Sequence, residues 1–449
     1  MSQLVAEDVT SRHGSDDPVV VVGAGPVGLA AAERLLDGGA QVVVVDRSAA
    51  VGGSSRSLDL WGHRLDLGPR AVPADAPAEA LTRWLDLAGA AGGVERTRAV
   101  HRAVVGGRLL DLPLRPTDLL PPGGAVRRLA RHLGRDRTTG ATPAPASAWD
   151  VLVARYGAAV TREVFVPASR KRFGVHPGEL PAALADELAG TPRRRGGHGE
   201  VLTAREGAGA VWAELARRLT ARGARVLLST CVEGLITDGD RVSAVRLRDG
   251  YGGHVLPARA VVAAVPATGV RSWLPGTVAP TGPAATGRDT HLVHLLLEPD
   301  PRTGGIGQDA HSVTALDASL RVGRLTTTRP WRPATSRDAS RTVVCAQFWS
   351  SGDDELSVLS DEDLAAAAVA ELPALGVHRG VRVLDHHVHR VPGSVPAPLP
   401  GAGGTGEAGL DRLGNLVRVA RADRPGPHGP AGALLTGRAL AARVPVRSR

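Results

Sequence analysis

The pattern that most narrows what this chain can fold into lies near its start. From Val19 it reads V-V-V-V-G-A-G-P-V-G-L-A-A-A-E-R-L-L, and a second valine run follows that ends at Asp46. Four consecutive β-branched residues without polar alternation predict a strand buried on both faces. Gly23, Gly25 and Gly28 follow that strand and lead into a helical stretch, with Pro26 at its head. The whole reads as one βαβ unit. Its glycines supply a tight turn, close backbone approach to a pyrophosphate, and close helix-on-strand packing, with the phosphates on the positive end of the helix. Asp46, 18 residues beyond Gly28, stands where a carboxylate meets ribose hydroxyls, and Arg47 is counted with it as a cradle residue.

Beyond this cradle the chain continues V-G-G-S-S-R and then D-L-G-P-R, from Asp66 to Arg70. The acid followed by Gly52 and Gly53 and then Arg56 resembles the signature of a large FAD superfamily. That superfamily includes amine oxidases, phytoene desaturases, protoporphyrinogen oxidase and UDP-galactopyranose mutase. The resemblance implies FAD as cofactor, with Gly52, Gly53, Ser54 and Arg56 passing its pyrophosphate and ribityl chain. The L-G-P-R stretch is similar to that of protoporphyrinogen oxidases, which implies that Gly68 and Pro69 run beneath the flavin ring. Arg70 is thereby the candidate catalytic residue at the reacting face. Further along, Val232 matches a strand valine that meets the FAD adenine through its backbone. A-V-V-A-A-V-P, ending at Pro266, resembles the family strand beside the cofactor, with Arg259 where an aspartate is usual. N-L-V-R-V-A-R, from Asn415, resembles the last FAD segment, with Ala420 in place of a glycine and Arg421 at the contact position.

The resemblance implies an α/β fold: a Rossmann-like FAD-binding domain of the glutathione-reductase type with an inserted α+β substrate domain. The expected FAD-binding domain is discontinuous, 18–75, 200–275 and 405–449, with 76–199 and 276–404 forming the substrate domain and 1–17 a disordered leader. The rest of the chain reads compatibly. Ala80, Leu81, Trp84, Leu85 and Leu87 form a helical stripe, as do Trp149, Leu152, Val153, Tyr156 and Val160. Short strands are expected across His101 to Leu114, His291 to Glu298, Ser319 to Thr328 and Thr342 to Trp349. Arg135 to Ser147 reads as a mobile linker, and Arg170 to Arg172 as a solvated charge run that could alternatively meet an anion. D-H-H-V-H, from Asp385, reads as a strand rather than a metal site, since a third converging ligand motif is missing from the sequence.

Composition excludes several classes. The chain of 449 residues has a net charge of +9, but Lys171 is its one lysine and the arginines are scattered, the mark of a GC-rich genome. With 3% aromatic residues, stacking platforms for nucleic acid are scarce. No apolar run is long enough to span a bilayer, and Cys231 and Cys345 lack metal or redox spacing, so the cytoplasm is the expected compartment. A small-molecule substrate, an anionic one suiting the arginine balance, is the expected partner, and the oligomeric state stays open.

Three functions are compatible: an FAD-dependent oxidase, dehydrogenase or desaturase; a flavin-dependent sugar-nucleotide mutase; or a degenerate flavoprotein. A flavin performs hydride chemistry itself, so no catalytic triad need be legible. Amine oxidases of the superfamily carry a lysine at the flavin, and none follows Lys171. Mutases carry a histidine where Gly68, Pro69 and Arg70 stand. These absences point to redox chemistry on a substrate other than a simple amine.

Overall fold

The computed structural model describes residues 17–68, 70–119, 146–190, 199–265, 269–270, 272–274, 288–298, 309–328, 340–352, 354–395, 413–419 and 429–444. The two valine runs form strands β1 (Val19–Val22) and β2 (Val42–Val45), connected by helix α1 (Pro26–Asp37). They pair in parallel, Val19 opposite Val42, inside a five-stranded sheet. Its other members are β10 (Arg225–Leu227), β14 (Ala260–Ala263) and β20 (Leu416–Arg418), and its order is β10-β2-β1-β14-β20.

Every residue of β1 and β2 is buried, because both sheet faces are covered. Val19 and Val21 pack with α1, α2 (Ala78–Ala90), a helix at Ala208–Ala221 and a helix at Gly429–Ala442. Val20 and Val22 face Leu235, Val245 and Leu247 on an antiparallel sheet of β11 (Cys231–Asp238), β12 (Arg241–Asp249) and β13 (Gly252–Pro257). Alternate valines thus serve two different cores, and each buried side chain contributes about 1.5 kcal/mol or more. In α2 the expected stripe is shifted: Ala80, Trp84, Leu87 and Ala88 are buried, whereas Leu85 is 37% exposed. The cause is the pairing of α2 with two neighbouring helices. Arg83 reaches Glu33 on α1, and Arg218 reaches Asp86 at 2.6 Å, so the Leu85 side of α2 is left to solvent.

A hairpin of β3 (Ser57–Leu60) and β4 (His63–Asp66) leads out of the cradle. A small sheet follows, β5 (Ala71–Pro73), β9 (Glu200–Ala204) and β6 (Val94–Arg98), the last of which has too little apolar alternation to be read from sequence. The largest sheet has the order β19-β15-β18-β17-β16-β7-β8. Its strands are β7 (His101–Val105), β8 (Arg108–Asp111), β15 (Arg288–Glu298), β16 (Ser312–Ala315), β17 (Arg324–Thr327), β18 (Thr342–Ser350) and β19 (Arg382–Val395).

The helix at Asp361–Glu371, capped by the Ser360 hydroxyl, covers one face of this sheet through Leu364 and Ala368 against Val293, Leu295, Val344 and Phe348. Against the opposite face, near β7, lie α3 (Ala148–Tyr156) and α4 (Val166–Phe173), with Leu152, Tyr156, Phe165 and Phe173 around Ala103. The stripe expected from Trp149 to Val160 is broken, because α3 ends at Gly157 with φ 82°. Leu152 and Tyr156 are buried, and Trp149, Val153 and Val160 are only half-buried. With α1 to α4 placed, the longer helices that follow in chain order are α5 (Ala208–Ala221), α6 (Asp361–Glu371) and α7 (Gly429–Ala442).

Helix α7 lies directly on α1. A Cβ at Gly437 would fall 2.2 Å from the Val27 carbonyl oxygen and 2.9 Å from the Ala31 nitrogen, both backbone atoms. Gly437→Ala must therefore push the two helices apart, and overpacking of this kind costs about 1–3 kcal/mol. The expected outcome is a Tm lower by several degrees in thermal unfolding, with the far-ultraviolet circular dichroism spectrum unchanged.

Candidate active site

The first half of the site is the loop system at the carboxyl ends of β1 and β2. Helix α1 begins after Gly25 with no side-chain cap and no acid in its first turn, so its N-terminal N–H groups and positive dipole end face outward unneutralised. Gly28 is required for packing, because a Cβ there would lie 1.8 Å from the Gly23 carbonyl oxygen. Gly25 differs: a Cβ there would meet only the Gly53 Cα, at 4.0 Å. The space before Gly25 is open, and Gly53 from the second loop forms its other wall. Gly52 lies in the left-handed region with φ 100° and donates its N–H to the Ala24 carbonyl at 2.8 Å.

Asp46 locks these loops together. One carboxylate oxygen accepts the Ala24 N–H at 2.7 Å and the other the Ser48 N–H at 2.8 Å. A carboxylate has about four acceptor positions, so two remain for another ligand. The Asp46 and Ser48 carbonyls accept N–H groups from Thr230 and Ser229, which brings the start of β11, and Val232, beside the cradle. An uncapped helix end, an open glycine wall and a spare carboxylate fit a dinucleotide.

The segment from Asp66 is held rigidly. Asp66 accepts from the Ser57 hydroxyl at 2.6 Å and from the Ala208 N–H at 3.0 Å, so it caps α5 from outside that helix. A Cβ at Gly68 would lie 2.3 Å from the Ser54 carbonyl oxygen. Ser54 and Arg47 are exposed. Pro69, Pro266 and Arg421 lie outside the described residues, as do the leader up to residue 16, the linker up to residue 145, and Ala420. Asn415 is buried and fully used: its side chain bonds both the N–H and the carbonyl of Val242 and the carbonyl of Arg259. That residue joins β20 to its neighbours.

The second half of the site is the stretch of the large sheet that meets Arg56 of the cradle. Paired residues on adjacent strands point to the same side. His294 stands opposite Cys345 and His387, Thr326 opposite Cys345, and Gln347 opposite Arg324, while Leu292 has Gln347 on one side and His389 on the other. This face is apolar at both ends. Leu296 and Val343 pack with Leu65 of β4, and Ala103 packs with α3 and α4. Between those patches it is polar apart from Leu292: His294, His387, His389, Cys345, Gln347 and Arg324. Arg56 and Arg70 reach over it from the cradle side. The Arg56 guanidinium donates to His389 Nε2 at 3.3 Å, and Arg70 lies close enough to affect the ionisation of His294, Arg324 and Cys345.

The electrostatics of this floor follow from burial beside cations. His294 is 1% exposed and neither ring nitrogen has a hydrogen-bond partner. Burial, helped by His387, Arg70 and His389, brings its pKa down to about 3, so it is a neutral imidazole. The His389 pKa is lowered for the same first reason, then by Arg56. Burial pushes the Cys345 thiol up to about 12 against the opposing pull of Arg70. Of the charge run before Phe173, Arg170 is exposed, as the sequence reading has it, but Lys171 and Arg172 are half-buried and paired, contrary to that reading. The Lys171 ammonium donates to the carbonyls of Ala315 at 2.9 Å and Asp317 at 2.8 Å. Arg172 pairs with Glu187 and lies over the Trp349 ring at 5.5 Å.

The dinucleotide cradle and the polar face of this mixed, largely antiparallel sheet meet where Arg56 reaches His389. Residues 28–445 match the family model of flavin containing amine oxidoreductases, and the chain belongs to that family. It is by that membership an oxidoreductase with FAD as its cofactor. The fold is similar to a putative protoporphyrinogen oxidase from Exiguobacterium sp. 255-15, with a TM-score of 0.73 and 17% identity, covering 95% of this chain and 98% of that one. It is similar also to reduced UDP-galactopyranose mutase, with a TM-score of 0.72 and 16% identity over 94% and 93% of the two chains. A phytoene dehydrogenase from Streptomyces griseus is 52% identical over 56 residues, 12% of this chain and 11% of that protein, so the match spans only a small part of that relative. No helix among the described residues is long and apolar enough to cross a membrane.

The sequence motifs name the cradle residues, Arg56 and Arg70 as candidates, but not Arg324, His294 or Gln347. The available signal was the polar residue at every second position of V-C-A-Q, Cys345 and Gln347, which marks one face of a strand as polar without saying whether that face is covered. As pH falls from about 6.5 towards 3, the unfolded chain binds a proton on residue 294 that the folded chain refuses, so this group costs stability in acid. His294→Leu should reduce the drop in Tm between about pH 7 and about pH 5 relative to wild type. An unchanged drop in paired thermal melts would contradict the neutral, buried imidazole.

Proposed function

We propose that the chain oxidises a small organic anion, with the substrate held between Arg70 and the polar face of the large sheet. The observation that carries this reading is the contact of Arg56 with His389, together with the influence of Arg70 on His294, which brings the loops of the cofactor cradle to the floor of the sheet; in this reading the two enclose one chamber. In this reading residues 18–75, 200–275 and 405–449 bind FAD, and 76–199 and 276–404 hold the substrate. The α1 N-terminus, Gly25 and Gly53 carry the pyrophosphate, the free acceptor positions of Asp46 take the ribose hydroxyls, and the backbone at Val232 meets the adenine. When bound, FAD supplies a ring that accepts a hydride equivalent. Arg70 fixes the substrate anion, since a guanidinium pairs bidentately with an oxyanion. The apolar patches at Leu65 and Leu296 exclude water on one side, and α4 does so on the other. His294, uncharged, offers an acceptor nitrogen to a substrate O–H or N–H. The unpaired cysteines fit a reducing cytoplasm, and the scattered arginines give no basis for a nucleic-acid partner.

Two variants separate cofactor loss from misfolding. Gly25→Val should fold and purify without colour, because its Cβ meets the Gly53 Cα only at ordinary contact distance while the side chain fills the phosphate space. Gly28→Val should fail to fold, because it strikes the Gly23 carbonyl. A yellow Gly25→Val protein with one FAD per chain would contradict the cradle. Arg70→Ala should keep FAD while raising KM or slowing flavin reduction about 10- to 100-fold, the loss expected for a charge-assisted pair. Unchanged kinetics would remove Arg70 from the site, and turnover appearing only after reduction by dithionite would shift the reading to a mutase.

A further inference from the structure

Arg324 is a residue that no motif indicates. It lies on β17 in the middle of the polar face, opposite Gln347, and its Nε atom is buried without a partner. No described residue forms a hydrogen bond or ion pair with its guanidinium, yet its side chain is only half-buried. An enclosed Nε and a side chain that keeps accessible surface fit a place on the wall of the chamber that the functional reading assigns to substrate. Its charged neighbours do not relieve it. Arg172 and Arg70 both disfavour its charge, and Glu187, the acid that favours it, is already paired with Arg172. Below it, Gly323 is pressed against the Trp349 ring, where a Cβ would lie 1.9 Å from a ring carbon, so the backbone that carries Arg324 is closely packed on that side. Burying a guanidinium among other guanidinia is costly unless an anion completes the site.

We propose that Arg324 and Arg70 together form a carboxylate seat on the floor of the chamber, and that the substrate is an organic carboxylate rather than a cationic amine. The proposal rests on the reading that this chamber receives the substrate. A carboxylate can accept from both guanidinia at once, whereas an ammonium placed here would meet Arg56, Arg70 and Arg324, and the acid that shares this face, Asp385, stands at its Leu296 end. The distant Asp385 carboxylate already accepts from the Trp61 indole at 2.8 Å. Recognition therefore depends on charge sign, and the family's amine-handling name does not decide it.

The test uses FAD-loaded protein titrated with acetate, benzoate and succinate, and with benzylamine as a cation of similar shape to benzoate. Binding is read from perturbation of the flavin visible band and by calorimetry. At least one carboxylate should bind and benzylamine should not. Arg324→Gln should weaken the carboxylate roughly 10- to 100-fold with FAD content unchanged, and Arg324→Lys should recover part of the loss. If Arg324→Gln fails to fold, wild-type protein is treated with phenylglyoxal, and the bound carboxylate should slow modification of the peptide carrying Arg324. The proposal is overturned if no carboxylate binds, if benzylamine binds as well, if Arg324→Gln retains full affinity, or if the carboxylate leaves the modification rate unchanged. A wild-type protein that purifies without FAD would instead overturn the functional reading beneath it.

Discussion

The site depends on one junction, the Asp46 carboxylate shared between the Ala24 and Ser48 N–H groups. A buried or half-buried carboxylate of this kind fixes two loops at once, because each oxygen accepts a strong hydrogen bond in a defined direction. The Gly52 N–H returns a bond to the Ala24 carbonyl, so the second glycine loop is aligned with the first. From that alignment come the open wall between Gly25 and Gly53 and the direction of the chain through Gly68 to Arg70. The valine sheet beneath carries no chemistry. Its contribution is a floor buried on both sides, against which α1 and α7 can approach within backbone contact at Gly437.

The large sheet solves a different problem. One of its faces is committed to an ordinary apolar core under α6, and the other is apolar mainly at its ends. In the middle, an unpartnered imidazole, a thiol and a guanidinium share a low-dielectric space with arginines delivered by the cradle. Such a face would weaken a protein whose only task was to fold. It is explained by a ligand that returns the missing hydrogen bonds, and the sign of the charge specifies what kind.

The cradle was legible in the sequence because its physics is local. Gly28, Asp46 and the valine runs act on residues within one βαβ unit, so spacing alone reveals them. Asn415 and Asp66 resemble motif residues, but here they also hold strands and a helix N-terminus together, work that a motif does not describe. Arg324, His294 and Gln347 come from three strands far apart in the chain, and only the register of β15, β17 and β18 brings them together. The charge run at Lys171 misled for the same reason: its acceptors are carbonyls about 150 residues away, at Ala315 and Asp317, beyond the reach of any local pattern.

The central claim is that this cradle and this cationic floor make one redox site for an organic anion. Its most direct test is anaerobic mixing of the FAD-loaded protein with a series of small organic carboxylates and, separately, amines, followed in the visible spectrum. The account predicts loss of the oxidised flavin band with a carboxylate and its return on admitting an electron acceptor. Bleaching by amines alone would contradict it.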